Sequence, residues 1–257
     1  MAESLPLLVP PRTALPAAVR ALQTTRRGGV SPAPWDTLNL ALHTGDDHER
    51  VGMNRERLQR HLGLAQVVAW PRQVHGTQVV RAEDLQAAQA RGVTLEADAV
   101  VTARPGVVCA VQTADCLPVV FAAVDGRAVG VAHAGWRGLV DGVLEATVEA
   151  LRAEYPDTSI QAWMGASIGP EAFEVGPEVR AAFLAQDPGA GAAFVPTGAG
   201  RLLADLYHLA RRRLERAGVS RVAGGGRCTF REAEHFFSYR REGETGRMGT
   251  LVWIEPL

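Results

Sequence analysis

The chain reads as one mixed α/β (α+β) domain, and three observations predict it. Two runs rich in β-branched residues flank Asp125-Gly126, a strong hairpin signal because glycine tolerates the positive φ of a type I′ turn. An amphipathic helical pattern follows closely, with Leu139, Val140, Val143, Leu144, Thr147, Val148 and Leu151 on one face. Finally, 257 residues with 47% hydrophobic side chains are enough to bury a sizeable core.

The other elements follow in chain order. Residues 1–30, rich in proline, alanine and arginine, are expected partly on the surface. Residues 51–64 read as a short helix and 66–70 as a strand running into Pro71. Strands at 98–102 and 107–113 are separated by Arg104-Pro105-Gly106. The hairpin strands, 118–124 and 127–133, set Pro118 opposite His133, with Cys116 just beyond at the same edge. Residues 201–217 read as a helix carrying Leu202, Leu203, Leu206, Leu209 and Leu214. Strands near 160–163, 221–224 and 248–254 complete a domain that no linker divides.

All 27 basic residues are arginine. Lacking an amine, the chain is excluded from P-loop, Schiff-base and Ser-Lys chemistry, and any anion site must be built from guanidinium groups. A net charge of −1 gives no pull toward nucleic acid or membrane. No apolar run approaches the roughly 20 residues that span a bilayer, and Leu5-Pro6-Leu7-Leu8-Val9-Pro10 is too short and broken for a signal peptide. The expected compartment is the cytoplasm.

Three cysteines, Cys109, Cys116 and Cys228, form no CxxC, and seven histidines form no HxH or HExxH. Cys116 and His133 share the open end of the hairpin. His133 then runs into Gly135-Trp136-Arg137-Gly138, where a helix start and Arg137 would make an anion pocket; alternatively the glycines only permit the turn. A further histidine, His75, lies in Gln73-Val74-His75-Gly76. Two imidazoles and a thiolate make a three-ligand zinc set with a fourth position open for water or substrate, which predicts catalysis. The alternative is a buried cysteine and two unrelated histidines.

These residues form part of a series. Gln73 to Gly76, Asp98-Ala99-Val100-Val101-Thr102, Thr113-Ala114-Asp115-Cys116-Leu117-Pro118, His133-Ala134-Gly135-Trp136-Arg137-Gly138 and Gly165-Ala166-Ser167-Ile168-Gly169-Pro170 occur in one order. Asn54-Arg55 precedes them, and segments ending in Arg240 and Met248 follow. From about residue 26 to its end the chain resembles the laccase-domain family of purine nucleoside phosphorylases, also called polyphenol oxidases or peptidoglycan editing factors. The resemblance implies a single-domain α/β/β/α layered sandwich, the laccase-domain/CNF-like fold, over 26–257, with 1–25 as an N-terminal segment. It also implies a catalytic zinc on His75, Cys116 and His133. The implied activities are phosphorolysis of adenosine, inosine and methylthioadenosine, and deamination of adenosine. Arg55 matches a family arginine near the substrate, and His43 and His235 fall in family-like segments.

Asp115, beside the ligand cysteine, is the expected proton shuttle for deamination, unless it points away and braces the turn. Arg55, Arg137, Arg240 and Arg247 are the expected phosphate arginines. The first two are favoured, because Arg240 and Arg247 flank an acidic turn, Glu242 and Glu244, that would tie them up. The partners expected are thus a purine nucleoside and phosphate. A multicopper oxidase would need on the order of ten histidines, largely in HxH pairs. Laccase chemistry is therefore rejected, and copper in the His-Cys-His set would be adventitious. Two alternatives stand: a hydrolase editing a peptidoglycan precursor, with Cys116 as nucleophile and His133 as base, and a nucleoside-binding protein without turnover.

Overall fold

The computed structural model describes residues 5–219 and 221–256. In chain order the first elements are β1 (Leu7–Leu8), β2 (Val19–Thr24), α1 (His48–Leu62), β3 (Val79–Arg81), α2 (Ala82–Ala90), β4 (Ala99–Thr102) and β5 (Cys109–Thr113). The hairpin β6 (Leu117–Ala123) and β7 (Val129–Ala134) leads into α3 (Trp136–Asp141), α4 (Val143–Glu154) and β8 (Ile160–Met164). Then come β9 (Glu174–Val175), α5 (Pro177–Gln186), β10 (Phe194–Gly198), β11 (Arg201–Ala204), α6 (Leu206–Arg216), β12 (Arg221–Gly224), α7 (Tyr239–Glu242) and β13 (Met248–Ile254).

Two sheets dominate: β1-β2-β13-β5, and β12-β8-β6-β7-β4-β3. β6 explains their stacking, because alternate residues point to opposite faces and all seven are buried. Val120 and Ala122 meet Val111 and Val252 of the smaller sheet. Val119 and Phe121 instead pack with Leu144 and Val148 of α4 and Leu209 of α6. On the far face of the smaller sheet, Leu58 of α1 packs with Leu22, Ala110 and Leu251. The layering is α/β/β/α, as the resemblance implied.

Several elements differ from expectation. Residues 66–70 form no strand, although Val68 and Trp70 are buried; Pro71 has no N–H to donate to a ladder. The helix after the hairpin breaks at Gly142, whose φ of 105° interrupts the helical backbone between α3 and α4. Within 201–217, residues 201–204 pair with β10 and β9 as a strand, and the helix starts only after Asp205, whose side chain accepts from His208 N–H. Residues 19–23 pair with β13 inside the smaller sheet.

Candidate metal centre

The hairpin register places Pro118 opposite His133 as expected, but the connection is not the two-residue type I′ turn: Gly126 N–H donates to Ala123 O, and of the Asp125-Gly126 pair only Gly126 has a positive φ, 75°. Cys116 occupies the bend between β5 and β6, where the chain crosses from the smaller sheet to the larger. His133, near the end of β7, is buried, Cys116 is half-buried and His75 is exposed. One ligand atom from each lies within 4.8 Å of the others. Cys116 Sγ stands 3.9 Å from His75 Nε2, and the two imidazoles meet edge to face at 4.8 Å between centroids.

Asp98, fully buried just before β4, joins the two histidine arms. Its Oδ1 accepts from His133 Nδ1 at 2.8 Å and from His75 N–H at 2.9 Å, while Oδ2 accepts from Gly76 N–H at 2.7 Å and Val74 N–H at 3.1 Å. Three successive amides thus wrap one carboxylate, and His75 adopts a left-handed φ of 61°. The sequence reading missed this role of Asp98. The available signal was an acidic residue at the head of an apolar strand, beside histidines that need an orienting acceptor.

Electrostatics follow from these contacts. Burial works against the Cys116 thiolate, but the His133 charge and hydrogen bonds from both histidines bring its pKa down to about 6. Burial also disfavours the His133 imidazolium, yet the Cys116 thiolate and Asp98 push it up to about 9. Asp98 is held below the ordinary carboxylate range: burial opposes its charge, but hydrogen bonds from His133 and the backbone outweigh it.

The glycines of the His133–Gly138 motif serve close approach rather than the turn. A methyl at Gly135 would stand 2.8 Å from His75 Cδ2 and 3.0 Å from Cys116 Sγ, and one at Gly138 would stand 2.8 Å from Gly76 O. The space between the donors is thus kept clear by the lack of a side chain. With two imidazoles and a depressed thiol around it, that space fits a metal of zinc or copper type.

The remaining predicted site residues divide. Asp115 has both oxygens engaged, Oδ1 by the Thr229 hydroxyl at 2.6 Å and Oδ2 by Arg240 N–H at 2.7 Å. These two contacts tie down the crossover loop. Arg137 is exposed and lies over the Trp136 ring. Arg240 donates to Glu174 O. Glu242 pairs with Arg26 and Arg241, and among the described residues Arg247 makes no ion pair with a carboxylate. Arg247 instead donates to Thr245 O and Gly246 O and lies close enough to Cys116 to feel its charge. Arg55 donates to Leu40 O and stacks over Trp70; burial lowers its pKa to about 10. His43 is held below its ordinary value by burial and then by Arg247 and Arg55, so those three groups converge. Cys109 is core, as expected, and Cys228 Sγ accepts from Gly169 N–H.

A layered α/β/β/α protein with a His-Cys-His cluster at its sheet crossover is the class defined so far. The chain belongs to the multi-copper polyphenol oxidoreductase laccase family, whose model matches residues 20–255. It is 52% identical over 245 residues to a purine nucleoside phosphorylase of Xylella fastidiosa strain Temecula1, covering 93% of this chain and 94% of that one. Purine nucleoside phosphorylase YfiH of Escherichia coli is 49% identical over 247 residues, covering 96% and 98%. Among solved structures, a Neisseria meningitidis protein superimposes with a TM-score of 0.89 at 47% identity over 97% of this chain and 99% of that one. YlmD from Geobacillus stearothermophilus gives 0.86 at 32% identity, covering 93% of each.

Proposed function

We propose that this protein is a zinc-dependent purine nucleoside phosphorylase whose metal is held by His75, Cys116 and His133. The carrying observation is the convergence of three donor atoms within 4.8 Å. It occurs in a chain about half identical to proteins named purine nucleoside phosphorylase. Bound zinc supplies a Lewis acid and brings the pKa of a coordinated water toward neutrality. Copper binds such donors more tightly and would be an adventitious occupant.

The chain's own residues supply the rest. Arg55 and Arg247, both desolvated and without a carboxylate partner among the described residues, hold the phosphate through planar forks. Phosphate then displaces the base at the anomeric carbon of adenosine, inosine or methylthioadenosine, giving free base and ribose 1-phosphate or, from methylthioadenosine, methylthioribose 1-phosphate. Deamination of adenosine at the same site has less support, since Asp115 is committed to bracing. The reactants are small molecules, with no nucleic acid or membrane partner, and the proposed compartment is the cytoplasm. No helix among the described residues is long and apolar enough to cross a membrane.

One observation favours a second reading. The depressed Cys116 thiol beside His133 is also the setting of a cysteine nucleophile, as a hydrolase acting on a peptidoglycan precursor would need. Metal analysis coupled to product chromatography separates the readings. The phosphorylase should release hypoxanthine from inosine only with phosphate and lose activity to a chelator. Full turnover by metal-free protein would favour the hydrolase, and inosine binding without hypoxanthine release would favour a non-catalytic binder.

A further inference from the structure

One group in the centre has no part in the activity described above: the Asp98 carboxylate, which touches both histidine arms yet is not one of the three clustered donors. We propose that Asp98 is the positioning residue of the site, fixing at once which nitrogen of His133 faces the cluster and where the His75 loop stands. The inference rests on the metal reading.

His133 is gripped twice by this one residue. Its amide N–H donates to Asp98 O at 2.7 Å, and its Nδ1 lies 2.8 Å from Asp98 Oδ1. A carboxylate at that distance can only accept, so Nδ1 keeps its proton; when the ring gives up its second proton to bind a metal, it is Nε2 that carries the lone pair. For His75 the same carboxylate acts through the backbone. The left-handed φ of 61° is one that a non-glycine residue adopts at a cost, and the three amides of residues 74–76 converging on Asp98 hold it there. An asparagine cannot do both jobs. Its NH2 must face either Nδ1, which then loses its proton to Nε2, or the loop amides, which are themselves donors.

The test is cadmium-substituted protein made with an NMR-active isotope, as wild type, Asp98→Asn and Asp98→Ala, with circular dichroism to check folding. In the wild type, metal–proton coupling should reach both ring protons of His133, the signature of Nε2 ligation, with a slowly exchanging Nδ1–H. Either variant should bind cadmium more weakly by on the order of 10- to 100-fold, with the coupling pattern of His133 altered. Coupling to Hε1 alone in the wild type would overturn the proposal without any variant. So would folded variants that keep affinity within about twofold and the same couplings, well below the loss typical of such outer partners. A wild type that takes up no cadmium would end the metal reading and this one with it, whereas normal uptake with unmoved variants ends this one alone.

Discussion

The hairpin and the His75 loop bring donors to the same place by opposite means. β7 delivers His133 through regular pairing with β6, and Cys116 stands one residue before β6 begins, so the hairpin register fixes both. Residues 74–76 have no ladder; they are held by a carboxylate from the head of β4. The first arm is specified locally, whereas the second exists only once the larger sheet has formed.

The largest break in that contrast is removal of a hairpin donor. Cys116→Ala should abolish both bound zinc and hypoxanthine release, beyond the roughly 10- to 100-fold that outer partners cost. Elemental analysis and chromatography check it, and retained turnover would refute the site. Removing one of the arginines proposed to hold phosphate comes next. Arg247→Ala should raise the KM for phosphate by about tenfold or more, corresponding to loss of charged hydrogen bonds worth about 1.5–3 kcal/mol. Exposed Arg137→Ala should leave it nearly unchanged, so equal effects would undo the assignment.

Gly135→Ala tests the gap between the arms. Its methyl would press on His75 and Cys116, at 2.8 and 3.0 Å, so metal affinity should fall, with a stability loss of about 1–3 kcal/mol by thermal denaturation. A smaller effect is expected for Asp115→Asn: about 1–2 kcal/mol of stability, from a buried acceptor half lost, with kcat changed less than by Arg247→Ala. The mildest test is pH. In metal-free protein, burial opposes the Cys116 thiolate, but His133 and His75 win and set its pKa near 6. The thiolate fraction, and with it iodoacetamide labelling of Cys116, should therefore rise with pH and reach half its plateau near 6 rather than in the usual thiol range.

The same contrast explains what could be read from the sequence. Asp125-Gly126 and the flanking runs were enough for the hairpin, the pairing of Pro118 with His133 and hence two donors. β12 and β13 also matched, because their apolar runs have clear ends. In the sequence Asp98 is one position of the Asp98–Thr102 motif; its role depends on β4 lying beside β7, a long-range pairing that leaves no periodic trace. Glu242 stands near Arg247 in sequence, yet its carboxylate is taken by Arg26, more than two hundred residues away along the chain. The strand within 201–217 was hidden because Leu202 and Leu203 suit a helix as well, and pairing with β9 and β10 decided the matter.

Strand pairing also has a bearing on assembly. A shift of β7 by a single position would turn His133 to the opposite side of its sheet and pull it from Asp98. Misaligned molecules would then lack the third donor altogether, so ion uptake would report on correct assembly of the larger sheet, and a chaperone-free refolding assay could score native yield by counting bound ions.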